Sequence, residues 1–313
     1  MGTFGTIILL IIALFLVCGA ITNFIAAAAK AAVPKTGKTT KVRGGEIHWV
    51  ESSQGRPVVM IHGLGANLHN FTYALTGKLD GEFRCIAIDR AGCGWSTRDG
   101  AAQSTLPEQA RMVAEFIEKE GLENPLIVGH SLGGAVALTL ALNHKEHVGG
   151  LALLCPATQP IDDTPEVFKG LDVSSAGVRK FIAHTVSGPL GLLMEKKIFS
   201  VIFAPEPIAP GFEVKGGGKL GRSPGAFIAA SEDMVNGRSS VDEVVGREAE
   251  LTMPVGVLYA EKDEILNPKL HGGKFAELSG ADLQILPGRG HMIPLTAPDE
   301  CAAFIRDMAS KSA

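Results

Sequence analysis

A chain of 313 residues is too long for one small core and suits one large α/β domain carrying an insertion. Its 29 Lys and Arg against 33 Asp and Glu leave a net charge of −4. No basic stripe with interleaved aromatics occurs, so nothing points to a nucleic-acid partner. The five cysteines, Cys18, Cys85, Cys93, Cys155 and Cys301, are odd in number and scattered, which excludes a disulfide framework, and no C-x-x-C pair suggests zinc.

The first 29 residues carry no charged side chain, and Ile7 to Ala29 is almost wholly apolar. As a helix this stretch is roughly 34 Å long, enough to cross a bilayer core. A cleaved signal peptide normally has a basic start and a shorter apolar run, and MGTFGT has no Lys or Arg. A lipoprotein signal wants a small residue before its cysteine, and Val17 precedes Cys18. The favoured reading is an uncleaved single-pass anchor over 1–29, with cleavage the competing one. Lys30, Lys35, Lys38, Lys41 and Arg43 come after it within a Lys/Gly/Thr-rich linker, 30–45. The positive-inside rule then keeps the main domain on the cytoplasmic side.

From residue 46 short apolar runs alternate with helical stretches. EIHWVE (46–51), PVVMIH (57–62), RCIAID (84–89), PLIVGH (125–130), GLALLC (150–155), VGVLYA (255–260) and ADLQIL (281–286) read as strands, several apolar enough to be buried on both faces. T-L-P-E from Thr105 predicts a capping box with Glu108, and Ala110, Val113, Ala114 and Ile117 share one helical face. Leu132 to Lys145 and Pro298 to Ala309 are further helices. This alternation predicts a mostly parallel sheet with helices on both faces. It breaks between about Ala157 and Leu251, where apolar helical runs are punctuated by Pro and Gly. The stretch is too long for a structureless loop, so a helical insertion over one end of the sheet is expected. The domain plan is a core of 46–157 and 252–313 with a helical lid, 158–251. KGGGKLGRS (215–223) nearly matches a phosphate-cradling loop, but Arg222 replaces the lysine and no strand precedes it, so it reads as a loop.

Chemistry gathers in four places. In LIVGHSLGG a strand-like run leads to Ser131 between Gly129 and Gly133 and on into a helix. Such a turn lifts a hydroxyl out of the sheet at a helix N-terminus, where small neighbours are needed. Serine needs a base, and His291 in LPGRGHMIP, just past the last strand, is the candidate. The imidazole needs an anion to fix its tautomer. Asp263, in AEKDEILNP after VGVLYA, fits, with Glu264 its nearest competitor and Asp162 or Asp163 an alternative acid. The oxyanion of an acyl intermediate needs backbone donors. HGLGAN (62–67) comes after a buried strand, and the Leu64 and Leu132 N–H groups are the expected pair.

Taken together, HGLG, DRAGCGWS (89–96), GHSLGG, LYAEKD and GRGHMIP over about residues 46 to 310 resemble the α/β-hydrolase family, in particular its serine-nucleophile, lid-containing esterase and lipase branch. The resemblance implies an eight-stranded, mostly parallel sheet and a Ser131–Asp263–His291 triad. It also implies a usually structural role for Asp89, Arg90, Gly92, Gly94 and Ser96. Cys93 falls where the family often has His, Phe or Arg. Family members with an aspartate nucleophile, epoxide hydrolases and dehalogenases, are argued against by Ser131. The expected function is cleavage of a carboxylic ester through an acyl-enzyme, with no metal or organic cofactor. C–C bond hydrolysis, lactone hydrolysis, cofactor-free haloperoxidation and non-catalytic ligand binding remain alternatives. The apolar insertion (Phe168, Leu171, Phe181, Leu192, Leu193, Met194) leans the substrate towards lipid-like esters delivered from a membrane.

Overall fold

The computed structural model describes residues 3–160, 165–241 and 244–312. Nine strands form one sheet: β1 (Lys38–Val42), β2 (Gly45–Ser52), β3 (Arg56–Ile61), β4 (Phe83–Ile88), β5 (Thr97–Arg98), β6 (Leu126–His130), β7 (Gly150–Leu154), β8 (Val255–Ala260) and β9 (Asp282–Leu286). The spatial order is β1-β2-β4-β3-β6-β7-β8-β9, with the two-residue β5 paired to β2 off this path. From β4 through β9 every neighbour is parallel, whereas β1, β2 and β5 pair antiparallel at one end. The expected eight-stranded, mostly parallel sheet is therefore present, with β5 added. The central strands β6 and β7 are buried at every residue, as continuous Val/Ile/Leu runs covered on both faces must be.

The longer helices are α1 (Thr3–Ala32), α2 (Leu106–Lys119), α3 (Leu132–Asn143), α4 (Ala176–His184), α5 (Ser187–Phe203), α6 (Pro224–Ser240) and α7 (Pro298–Lys311). Helix α3 leaves the central strand and is buried nearly all round, which accounts for its lack of a polar face. Two glycines let α7 lie close to the sheet. A Cβ at Gly150 would stand 2.6 Å from Ser312 Cβ, and one at Gly256 would stand 2.4 Å from Met308 Sδ. Between β7 and β8 the described residues contain helices and no strand.

Local details differ from the sequence reading. The stretch 30–45, expected as a linker, carries the end of α1 and the whole of β1. Strand β1 is an edge strand with mostly exposed Lys and Thr, so it lacks the apolar run by which buried strands are recognised. The capping box at Thr105 does not form. Thr105 Oγ1 donates to the Ala102 carbonyl at 3.2 Å, and Glu108 binds Arg111 instead. The near-phosphate-loop sequence folds as a 3-10 turn, Gly218–Arg222, whose arginine binds Glu195 and Glu213.

Candidate active site

Parallel strands end on one edge of the sheet, and every candidate side chain is carried just beyond such an end. His62 lies past β3, Ser131 past β6, Cys155 past β7, Asp263 past β8 and His291 past β9. Ser131 takes φ 55° and ψ −124°, a strained backbone that a non-glycine residue adopts only when its surroundings enforce it. The enforcement is visible. Its N–H donates to the Leu154 carbonyl at 3.1 Å, and its carbonyl accepts from Gly134 N at 2.9 Å and Ala157 N at 3.0 Å. The turn also needs bare backbone. A Cβ at Gly133 would lie 2.1 Å from the Ile61 carbonyl oxygen, and one at Gly129 would lie 2.6 Å from the Gly133 carbonyl oxygen. The HGLG loop presses on the same turn, since a Cβ at Gly63 would come within 3.3 Å of Ser131 Oγ.

Asp263 and His291 are brought together. His291 Nδ1–H donates to Asp263 Oδ2 at 2.7 Å, both side chains being buried. The other carboxylate oxygen accepts the N–H groups of Ile265 and Leu266, each at 2.9 Å. Burial pushes the Asp263 carboxyl up, but the His291 imidazole and these two N–H groups outweigh it and hold it below its ordinary value. Glu264 is exposed and makes no such bond. Asp162 and Asp163 lie outside the described residues.

His291 is fixed from behind by the residue before the serine. His130 Nε2–H donates to the His291 carbonyl at 3.0 Å, and the two rings lie 5.0 Å apart. Burial, reinforced by the charge of His291, pulls His130 down to about 3, so it stays neutral. Among the described residues the Ser131 hydroxyl and His291 Nε2 make no hydrogen bond, to each other or elsewhere. The N–H groups of Leu64 and Leu132 are likewise unengaged there, and both residues are half-buried beside the serine.

Sequence reasoning overlooked how the HGLG loop is held. The buried Arg90 guanidinium donates through Nε to the His62 carbonyl at 2.8 Å and through Nη2 to the Gly63 carbonyl at 2.9 Å. Its Nη1 binds Gln109 at 2.6 Å and Asp233 of α6 at 2.7 Å. His62 completes the clamp. Its Nδ1–H donates to the Gly63 carbonyl at 2.9 Å, and its Nε2 accepts Arg90 N–H at 2.9 Å. Burial, then the Arg90 charge, pulls His62 down to about 4. The insert is tied in at further points. Asn67 and Asn70 donate to the carbonyls of Gly217 and Gly216 at 3.0 and 3.1 Å, and Gly290 N–H donates to Glu206 at 2.9 Å.

Two cysteines approach the site. Cys93 is buried and pushed up to about 12 by that burial, which leaves it a neutral, inaccessible thiol. Cys155 brings its sulfur into a group with Asp263 and His291 whose ligand-type atoms lie within 4.8 Å of one another. Its burial, and then the Asp263 charge, push its thiol well above the ordinary value, so it too stays protonated.

Comparison with known proteins agrees with this architecture. The family model described as the alpha/beta hydrolase fold matches residues 56–192. A probable 1-acylglycerol-3-phosphate O-acyltransferase of rice is 36% identical over 134 residues, which are 36% of this chain and 32% of that protein, so the chain spans about a third of that relative's length. Haloalkane dehalogenase 2 of Mycobacterium tuberculosis is 27% identical across 83% of this chain and 90% of its own. A monoacylglycerol lipase of Xenopus laevis is 22% identical across 85% and 80%. Among solved structures, an esterase of Thermogutta terrifontis superposes with a TM-score of 0.67 at 21% identity, covering 88% of this chain and 99% of that one. The strand order, the serine elbow beyond the central strand and the matched family model agree: the chain has the α/β-hydrolase fold.

Proposed function

We propose that the chain is a serine hydrolase acting on carboxylic esters, with Ser131 as nucleophile, His291 as base and Asp263 as its anionic partner. The observation that carries this reading is the strained serine: a backbone held at positive φ, its hydroxyl unengaged, on the same sheet edge as an imidazole already oriented by a buried carboxylate. With Nδ1–H committed to Asp263, His291 Nε2 is left as the acceptor. It takes the Ser131 proton as Oγ attacks the ester carbonyl. The Leu64 and Leu132 N–H groups hold the resulting oxyanion. The imidazolium then protonates the departing alkoxide, and water repeats the sequence on the acyl-enzyme.

The dehalogenase likeness does not transfer its chemistry. In the aspartate-nucleophile branch a carboxylate stands where this chain has Ser131. The lean towards lipid-like esters rests on α1, which is long and apolar enough to cross a membrane, and on its contact with the insert. In this reading α1 anchors the chain, and the basic residues after it keep the catalytic domain on the cytoplasmic face. The test is a panel of p-nitrophenyl esters and monoacylglycerols of graded acyl length, with fluorophosphonate labelling, on wild type and Ser131→Ala. Turnover and labelling that both vanish in Ser131→Ala support the reading. A folded wild type that neither turns over an ester nor takes label overturns it.

A further inference from the structure

Helix α1 does not stand apart from the fold. From Phe15 onward one stripe faces inward: Phe15, Thr22, Ile25, Ala29 and then Val33, the spacing of one helical face. It packs on the insert. Thr22 Oγ1 donates to the Thr185 carbonyl at 2.6 Å, and the Phe15 and Phe181 rings meet edge-on at 4.9 Å. Small residues permit the close approach. A Cβ at Gly188 would stand 2.8 Å from Thr22 Cα, and one at Gly19 would stand 3.1 Å from the His184 carbonyl oxygen.

The docked assembly leaves a large apolar surface bare. On the packed half of α1, Leu16 is 70% and Phe24 76% exposed. On the insert beside it Val178, Phe181, Leu190, Leu192 and Met194 are exposed, and Leu193 reaches 81%. A contiguous patch of this kind marks an interface rather than a water-facing surface. Length says what covers it. The uncharged apolar run Ile7–Ala29 makes about 34 Å of helix, close to the thickness of the hydrocarbon core, about 30 Å, and the packed stripe from Phe15 takes up its second half. A span by that run therefore sets hydrocarbon alongside the packed half, where the insert's apolar residues lie. The charge pattern agrees. SGPLGLLM (187–194) carries no charge, and Glu195, Lys196 and Lys197 come next. Glu195 binds Arg222 at 2.6 Å, and Lys30 lies 5.5 Å over the Trp95 ring. Lys180, beside Phe181, has a stem long enough to reach a headgroup.

We propose that the face formed by α1, α4 and the first half of α5 is sunk in the lipid bilayer. The helical insert is then a partly submerged roof over the sheet edge, and a lipid substrate enters from the membrane without crossing water. This rests on the reading of α1 as a span. The test uses the full chain in phosphatidylcholine vesicles, in a Cys18→Ser background whose remaining cysteines are buried. One variant carries an environment-sensitive fluorophore at Leu193→Cys and a second carries it at Leu10→Cys. The expected result is quenching of both probes by doxyl-labelled lipid and protection of both from aqueous iodide. Leu10 quenched by lipid with Leu193 open to iodide overturns the submerged roof and leaves the anchor standing. Leu193 shielded from iodide yet untouched by lipid means that a protein surface covers the face, and the proposal falls. Neither probe quenched by lipid overturns the anchor and the roof together. None of these readings depends on turnover, so loss of the ester-hydrolase reading is scored separately with a soluble ester.

Discussion

Arg90 Nη2 donates to the carbonyl oxygen of Gly63 at 2.9 Å, and that oxygen belongs to the same planar peptide as the Leu64 N–H. A trans peptide points its C=O and N–H in opposite directions, so whatever fixes the Gly63 oxygen aims the Leu64 donor. His62 Nδ1–H holds the same oxygen, and Asp233 holds the guanidinium. The clamp thus runs from the insert to the proposed oxyanion donor. Arg90→Lys keeps the charge but not the fork, and one ammonium cannot serve both carbonyls and Asp233. We expect kcat on a p-nitrophenyl acetate assay to fall about 10- to 100-fold with KM little changed, as for weakened transition-state hydrogen bonding. A raised KM with unchanged kcat would instead assign Arg90 to holding the insert alone.

Gly133→Ala tests the elbow. The added methyl would meet the Ile61 and His62 carbonyl oxygens at 2.1 and 2.5 Å, and both are backbone atoms that cannot swing aside. The expected cost is about 3 kcal/mol or more, read as lost soluble yield or a lowered urea midpoint. Gly77→Ala is the matched control. It lies in a short helix, Leu75–Lys78, and its Cβ would meet nothing within 4 Å, so stability should hold or rise by up to about 1 kcal/mol.

The parts of this site that could be read from the chain are those whose chemistry is local. GHSLGG and HGLG declare themselves because a strand, a tight turn and a helix are contiguous in sequence. Asp263 and His291 are recognisable because they lie just beyond the ends of consecutive strands. The Arg90 clamp was not legible, since its partners, Gly63, Gln109 and Asp233, come from three separate segments that only the folded sheet edge and insert bring together. Strand β1 was missed because KTTKV at an exposed edge has the composition of a linker. The docking of α1 was hidden for the opposite reason. Apart from Asn23 and Lys30 every position of that helix is apolar or small, so Phe15, Thr22, Ile25 and Ala29 cannot be told from most of their outward neighbours until the partner surface is in place.

Two buried histidines predict acid sensitivity. His62 and His130 are pulled down to about 4 and about 3 from an ordinary value near about 6.5. Above that value each is neutral in both folded and unfolded chains and contributes no pH dependence. Below it the unfolded chain binds a proton that the folded chain refuses, so stability falls with pH until the folded value is reached. The window is about pH 6.5 down to about 4 for His62 and on to about 3 for His130, at about 1.4 kcal/mol per pH unit for each proton. His130→Gln retains a donor for the His291 carbonyl without a titrating ring. Urea unfolding at pH 7, 6 and 5 should therefore show the pH slope reduced by about one proton. An unchanged slope would mean that His130 titrates alike in both states.

Asp263→Asn separates the anion's role from its structural one. Asp263 Oδ1 accepts the Ile265 and Leu266 N–H groups, and an asparagine carbonyl can take over both bonds, so the loop should keep its shape. That choice turns the amide NH2 towards His291 Nδ1, where it must donate. The imidazole is then forced to carry its proton on Nε2 and can no longer accept the one from Ser131. We expect kcat to fall about 10³- to 10⁴-fold while the melting temperature moves by only a few degrees. The paired substitution Asp162→Asn with Asp163→Asn should leave kcat within about twofold of wild type if Asp263 is the anion at work. Activity that survives Asp263→Asn but is lost in that pair would move the role to the segment after β7.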